Sequence, residues 1–497
     1  MASATATPER AHNLPALMPP RNRMLLAGIV VAAAVLRFAT LDGQSYWFDE
    51  ATTVHLLRLD FGGMLAAIPD SESTPPLYYV VAWLWAKLFG VGEVGLRSLS
   101  ALAGTATIPL VYAIARRAAG TRAGLIAAAL TAANPLLVWY SQEARAYALL
   151  VLLAAVTLVL LPAALERPAP RGLVVWAVAA ALAVATHYFA AFIVVPEAIW
   201  LLQRHRSRAL APVGAVALIA LALLPMAVAQ AQNDGARFIR GSGEIDRLGS
   251  VPKQFLVGYD APGELAATIA AAVLGLAALY LLARRMGPRG RRAVLPLAVL
   301  AVVVVAVPAL LTIVGADYLI TRNVIVALPP AIVVLAAGYA TTRAGTVAGV
   351  VLAAVGVALC VGVATEERYQ RDDWRDVARQ LGTATQPRLL VVSPVNGAVP
   401  LEYYLPNSRK TRPDQHAQIR EVDVVGFAPR GPGDPANPPR PASPPPLPGF
   451  GLARRVETET YTLVTYRSAE PGFFPDPPLY GVALGGKQAE LVLQEPR

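Results

Sequence analysis

Apolar runs close to twenty residues long recur along the first 363 positions of this chain, and nothing else in the sequence constrains its fold as strongly. About 20 helical residues cross the hydrocarbon core of a bilayer, where each backbone N–H and C=O must be bonded within the segment. Spans are expected near 24–41, 98–116, 122–140, 145–163, 172–187, 189–203, 209–229, 264–283, 293–314, 323–341 and 346–363. Charged residues make up only 15% of the chain, against about 25% in soluble domains. The expected class is a polytopic α-helical membrane protein of about 11 transmembrane helices.

The net charge of +10 does not point to nucleic acid. Arginine supplies 39 of the 43 basic residues, and many sit between apolar runs: "RNR" (21–23), "RRAAGTR" (116–122), "ERPAPRG" (166–172), "RHRSR" (204–208) and "RRMGPRGRR" (284–292). Cytoplasmic loops collect such charge. With the N-terminus inside, all of these fall on the cytoplasmic face and the C-terminus lies outside. The partner implied is the lipid bilayer, with no nucleic acid. Residues 1–23 are expected to form a disordered cytoplasmic tail with no cleavable signal. The one cysteine, Cys360, lies in an apolar run, so neither an intramolecular disulfide nor a thiolate metal cage can form.

One apolar stretch is not counted as a span. "PPLYYVVAWLWAKLFG" (75–90) is short and rich in Tyr and Trp, which favour the membrane–water interface. Residues 42–97 are therefore expected to form one external loop with two surface helices, and 24–363 one membrane domain. Beyond it, 364–497 should be a small extracytoplasmic α/β domain. There "EERYQRDDWRDVARQL" (366–381) reads as an amphipathic helix, and 388–395, 421–427, 460–466 and 489–494 read as strands. A stretch with ten prolines, 429–448, reads as a stiff linker or loop.

Under this topology the unusual polar residues gather outside. Asp49 and Glu50 follow the first span in "SYWFDEATT" (45–53). "SQEARAY" (141–147) brings Glu143, Arg145 and Tyr147; His187 and Tyr188 stand at a span junction; "GADYLITRN" (315–323) brings Arg322. Charged groups at such depth commonly mark substrate paths. A carboxylate can take the proton of an attacking hydroxyl, and a neighbouring one can hold a divalent cation or orient the site. Arginine forks suit phosphate. No nucleotide-binding glycine loop is evident, so a lipid-linked phosphate reached sideways from the bilayer is the expected donor. The plainer readings are a solvated loop end for the acid pair, an internal ion pair for "EAR", a snorkelling Arg322 and a satisfied polar contact for His187.

"WFDEA" (47–51), "PPLYY" (75–79), "LRSLSALAGT" (96–105), "NPLLVWYSQEARAYALL" (134–150), "THY" (186–188) and "RNVIVALP" (322–329) occur in this order. With these motifs the chain resembles the GT-C glycosyltransferases, in the branch similar to family 39 protein mannosyltransferases and the RgtA/B/C/D-like bacterial enzymes. The resemblance implies inverting transfer from a polyprenyl-phosphate-linked sugar but does not specify the sugar; mannose is the first expectation and arabinose the second, with a glycan, lipid or protein of the cell envelope as acceptor. It implies Asp49 as catalytic base with Glu50 beside it, Arg145 and Arg322 on the donor phosphate, and the 75–90 helix, with Tyr78, bordering the lipid entrance. Thr74 stands where many relatives have His, and Asn323 where Tyr is frequent. No cofactor is fixed; a divalent cation, Mg or Mn, with Glu50 as ligand is left open. A lipid-linked glycan transporter or flippase, and an oligosaccharide polymerase or ligase, remain as alternatives. The Ala/Arg/Gly/Pro bias with four lysines suggests a GC-rich bacterial genome, and hence a multi-pass bacterial cell (inner or plasma) membrane protein.

Overall fold

The computed structural model describes residues 19–166, 169–233, 239, 243–411, 418–427, 445–472, 479, 484 and 489–496. The chain opens with α1 (Pro20–Phe38), followed by three short helices, α2 (Phe48–Arg58), α3 (Phe61–Ser71) and α4 (Leu77–Phe89). Next come α5 (Glu93–Ala119), α6 (Thr121–Ala133), α7 (Pro135–Ser141), α8 (Tyr147–Glu166) and α9 (Pro170–Thr186). They are followed by α10 (Ala191–His205), α11 (Ser207–Gln232), α12 (Glu244–Val257), α13 (Glu264–Arg285) and α14 (Pro288–Ile313). A 3₁₀ stretch, Thr321–Ala327, runs into α15 (Leu328–Tyr339), and α16 (Arg343–Thr365) closes the helical part.

All eleven expected spans are helical. By length and composition seven helices among the described residues can cross a membrane, or eight when the bent pair α6–α7 is one span. The other three fall short for visible reasons. α9 and α10 have 17 and 15 residues, and α1 carries Arg21, Arg23 and Arg37 within its 19. The first helix begins at Pro20, whose missing N–H costs nothing at a helix start; the expected disordered tail thus loses residues 20–23, and 1–18 lie outside the described residues. The external loop holds three helices rather than two. Asp60 separates α2 from α3 by accepting the Gly63 N–H at 2.7 Å. α4 spans 13 residues, roughly 20 Å at 1.5 Å per residue, too short for a crossing.

The bend between α6 and α7 measures 57°. Asn134 caps α7 by accepting the Leu137 N–H, and Pro135 cannot continue the α6 hydrogen-bond ladder. The carbonyls this orphans find a donor in Arg37, which is fully buried in α1 and donates to Thr131 O at 3.1 Å and Ala132 O at 2.8 Å. Its Nε donates to Ser141 Oγ. Gly104 of α5 permits this approach, because a Cβ there would lie 2.0 Å from Ser141 Oγ. The break thereby fixes where α7 delivers the loop 142–146.

After α16 the chain forms α17 (Trp374–Leu381), α18 (Ala398–Tyr404) and six strands: β1 (Arg388–Ser393), β2 (Ser408–Lys410), β3 (Ile419–Phe427), β4 (Gly451–Glu457), β5 (Tyr461–Gly472) and β6 (Glu490–Gln494). The sheet order is β2-β6-β1-β3-β5-β4, with β1 parallel to β3 and the other pairings antiparallel. Alternate residues of β1 divide between two cores. Leu390 and Val392 pack with Trp374 and Leu401 under the helices, and Leu389 and Val391 pack on the opposite face. The expected helix over 366–381 is shorter, since Asp373 accepts the Asp376 N–H and starts it at Trp374. Strands β2 and β4 and helices α12 and α18 have no counterpart in the sequence reading. Most of the proline-rich segment, 428–444, lies outside the described residues.

Candidate active site

Helix α2 begins at the acid pair. Trp47 is its extended N-cap, so Asp49 and Glu50 occupy the first turn, where carboxylates favour the exposed backbone N–H groups. The two side chains then part. Glu50 is fully buried; its Oε1 and Oε2 accept from Arg97 Nε and Nη2 at 2.7 and 2.6 Å, and Oε1 also accepts the Ala144 N–H at 2.8 Å. Burial alone would push this carboxyl up, but the Arg97 guanidinium overrides it and holds the group below the ordinary carboxylate value. Arg97 of α5 also donates to the carbonyls of Leu41, Gln44 and Ser45, pinning the turn before α2. Asp49 is turned the other way, with its side chain 17% exposed and Oδ2 3.4 Å from Arg322 Nη1.

Around this pair stand two further closed ion pairs. Arg145 Nη1 donates to Glu72 at 2.7 Å, to Thr53 Oγ1 at 3.1 Å and to the Asp49 carbonyl at 3.3 Å. Glu143 Oε2 accepts from Arg371 Nη2 at 2.7 Å, both side chains being almost wholly buried. Burial pushes the Glu143 carboxyl up; Arg371 opposes this, while Glu50 and Asp49 add to it. Four carboxylates thus meet four guanidiniums. The internal ion pair that is the plainer reading of "EAR" is not formed: its Glu and Arg take separate partners, Arg371 and Glu72.

Other candidates line this cluster. Tyr147 lies 5.5 Å, ring to ring, from His187 and 4.6 Å from Tyr140. His187 is buried and its Nδ1 accepts the Phe189 N–H at 3.3 Å, a satisfied polar contact. Tyr188 donates to Gln230 Oε1 at 2.8 Å, and Gln230 Nε2 donates to the Thr74 carbonyl at 3.1 Å. Thr74 Oγ1 lies 3.0 Å from the Tyr79 hydroxyl, and Tyr78 packs edge-on against Tyr79. These three therefore brace α4 against the bundle. The loop carrying Arg322 is held by Arg247 of α12, whose two terminal nitrogens reach Asp317 at 2.7 and 2.8 Å.

Glu50 does not fit the metal ligand left open by the sequence. Both of its oxygens are already bonded, and among the described residues no group of three or more His, Cys, Asp or Glu is arranged around a cation. The sequence reading also passed over Glu72, Arg97, Arg247, Asp317 and Arg371. Arg97 lies inside "LRSLSALAGT", but its partner is 47 residues away. No local spacing reports such a contact.

The dolichyl-phosphate-mannose-protein mannosyltransferase family model matches residues 73–229, roughly a third of the chain. No curated protein matches in sequence. Among solved structures, the chain is similar to ArnT from Cupriavidus metallidurans bound to undecaprenyl phosphate, with TM-score 0.52 and 13% identity, covering 90% of this chain and 99% of that one. The Archaeoglobus fulgidus oligosaccharyltransferase matches with TM-score 0.45 and 14% identity over 72% of this chain and 55% of that one. The Saccharomyces cerevisiae Pmt1–Pmt2 protein O-mannosyltransferase complex bound to its sugar donor matches with TM-score 0.30 and 20% identity over 43% and 33%. The ArnT likeness establishes a shared fold. Residues 73–229 thus resemble the dolichyl-phosphate-mannose-protein mannosyltransferases, and the chain as a whole shares the multi-pass helical membrane fold of ArnT.

Proposed function

We propose that the chain transfers a sugar, mannose first, from a polyprenyl-phosphate-linked donor to a cell-envelope glycan, lipid or protein, with inversion at the anomeric carbon. Asp49 removes the proton from the acceptor hydroxyl. The acceptor oxygen bonds to the anomeric carbon as the bond from that carbon to the phosphate oxygen breaks on the opposite face. The polyprenyl phosphate leaves with its added charge facing Arg322, and Arg145 contributes from behind its pair with Glu72. The protein sits in a bacterial cell membrane with its N-terminus in the cytoplasm and the sheet domain outside. The donor stays in the bilayer while the acceptor arrives from water.

The single observation that carries this reading is the state of Asp49. It is the one carboxylate of the cluster whose ion pair is long and partly open to solvent, and it faces an arginine that is likewise partly exposed. A base must keep an oxygen accessible, and a phosphate-binding arginine must be able to exchange its partner. The test is turnover of purified Asp49→Asn on polyprenyl-phosphate-mannose. The amide keeps the shape but cannot take the proton, so turnover should fall by about 10²–10⁴-fold while donor affinity changes far less. Near wild-type turnover would overturn the assignment of the base.

A further inference from the structure

Between α16 and the sheet domain the chain folds back over the candidate site. Gln44 Oε1 accepts the Arg371 N–H at 3.0 Å; Ser45 Oγ donates to the Asp372 carbonyl at 2.8 Å and accepts the Trp374 N–H at 3.1 Å. These bonds tie residues 371–374 to the turn that feeds α2. Arg371 then points inward. Its guanidinium lies 4.2 Å from the centroid of the Trp139 ring and bonds Glu143 at 2.7 Å, with 4% and 1% of the two side chains exposed. The other Glu143 oxygen, Oε1, is buried with no hydrogen-bond partner. The next residue, Ala144, donates its N–H to Glu50. A continuous set of contacts therefore runs from the segment leaving the membrane to the residue beside Asp49.

We propose that Arg371 is a positioning residue for transfer. It anchors the loop 142–146 under α2 and balances the Glu143 charge, so that Asp49 works opposite Arg322 with no second uncompensated carboxylate beside it. The proposal rests on the transferase reading above. A pure clamp would explain the hydrogen bonds to the backbone, but it would not need a guanidinium sealed against a carboxylate of the site. Removing one partner of a buried pair leaves the other charge uncompensated, and here that charge is Glu143, which interacts with Asp49.

The charge environment fixes the expected sign. Glu143 faces Asp49 and Glu50 from α2, Arg371 from the linking segment, and the phenols Tyr78, Tyr140, Tyr147 and Tyr259. Asp49 also faces Arg322 and Arg145. Phenols ordinarily ionise near pH 10 and stay neutral across a carboxylate titration. Without Arg371 the buried Glu143 carboxyl takes up a proton, so the net charge of the pair is unchanged and the acidic limb of the pH–rate profile stays in place. Removing Glu143 while Arg371 stays moves it to lower pH.

The experiment compares pH profiles of kcat for the full-length protein in detergent with polyprenyl-phosphate-mannose as donor. Arg371→Met should lower turnover by about tenfold or more through loss of the loop anchor, with the acidic limb left near its wild-type place. Glu143→Gln should lower the limb, and the double variant should return it close to wild type with most of the turnover. Arg371→Lys should keep the limb in place. The proposal is overturned when Glu143→Gln lowers the melting temperature but leaves the limb unmoved, or when the double variant recovers nothing over Arg371→Met. Should Arg371→Met not fold, Glu143→Gln and Arg371→Lys decide the sign by themselves. Asp49→Asn, run alongside, separates the two readings. Its loss of activity with an unmoved limb in Glu143→Gln sinks only the role of Arg371; its full activity sinks the transferase mechanism.

Discussion

Asp49 and Glu50 are neighbours of nearly identical chemistry, yet they belong to two different regions. Glu50 sits in a closed region with Glu72, Glu143 and their arginines, where each pair is 2.6–2.7 Å long and almost out of solvent. Asp49 and Arg322 form an open region, 3.4 Å apart with 17% and 20% of their side chains exposed. Closed pairs have satisfied their strongest contacts and offer little to a substrate. An open pair can exchange one partner for a ligand. On the function proposed above, three acid–arginine pairs orient the site and one is left to react.

The largest test of this division falls on the closed side. Arg97→Met leaves the Glu50 carboxylate buried without its guanidinium, and breaking such a pair typically costs about 3–5 kcal/mol. Loss of stability should dominate, read as a lowered denaturation midpoint in detergent. The paired change Arg97→Met with Glu50→Met should recover much of it, because no lone charge remains. If Arg97→Met were as stable as the parent but lacked turnover, Glu50 would belong with Asp49 in the reacting region.

The elements of this division were legible in the sequence to different depths. The spans were readable because hydrocarbon demands long apolar helices, and β1, β3, β5 and β6 because their runs are continuous and buried. Asp49, Glu143, Arg145 and Arg322 stood out as charges in an apolar context. Who pairs with whom was not readable. Glu50 and Arg97 are 47 positions apart, Glu143 and Arg371 228 apart, and Asp49 and Arg322 273 apart. Only the packing of helices decides those contacts. Arg371 was further masked by a run, "ERYQRDDWRD", whose alternating charge looks like a solvated helix face. In the structure that face turns inward before α17 begins.

The sheet domain sharpens the comparison with a pair that is buried but loose. Asp423 accepts from Thr465 at 2.5 Å, its second oxygen has no hydrogen bond, and Arg388 lies 3.7 Å away. Burial raises this carboxyl to about 6, outweighing the hydrogen bond from Thr465 and the attraction of Arg388. A folded-state value above the unfolded one means the folded chain binds the extra proton between roughly pH 4 and 6. Stability is therefore greatest below that window, is lost as pH rises through it, and levels off above; the loss is at most about 3 kcal/mol. Hydrogen-exchange protection of β1, β3 and β5 in the full chain, corrected for intrinsic exchange, should fall accordingly. Asp423→Asn should flatten it. Protection that rises through the window would mean that Arg388 keeps the carboxylate ionised and that distance alone does not define a closed pair.

The smallest effect is also the one that separates the two arginines the sequence treated alike. Arg322 meets Asp49 at 3.4 Å with a fifth of its side chain exposed, so on the proposed function Arg322→Ala should act mainly by taking a charge-assisted partner from the donor phosphate. Such a loss costs about 1.5–3 kcal/mol, or roughly 10- to 150-fold in donor affinity. Arg322→Lys should recover only part, since a point charge replaces a planar fork. Arg145 is committed to Glu72 and buried, so Arg145→Ala should act first on stability by stranding that carboxylate. Measured side by side, donor affinity should fall more steeply for Arg322→Ala and the denaturation midpoint for Arg145→Ala. The reverse order would make Arg145 the principal phosphate ligand, and the half-open contact between Asp49 and Arg322 would then be only a surface ion pair at the edge of the site.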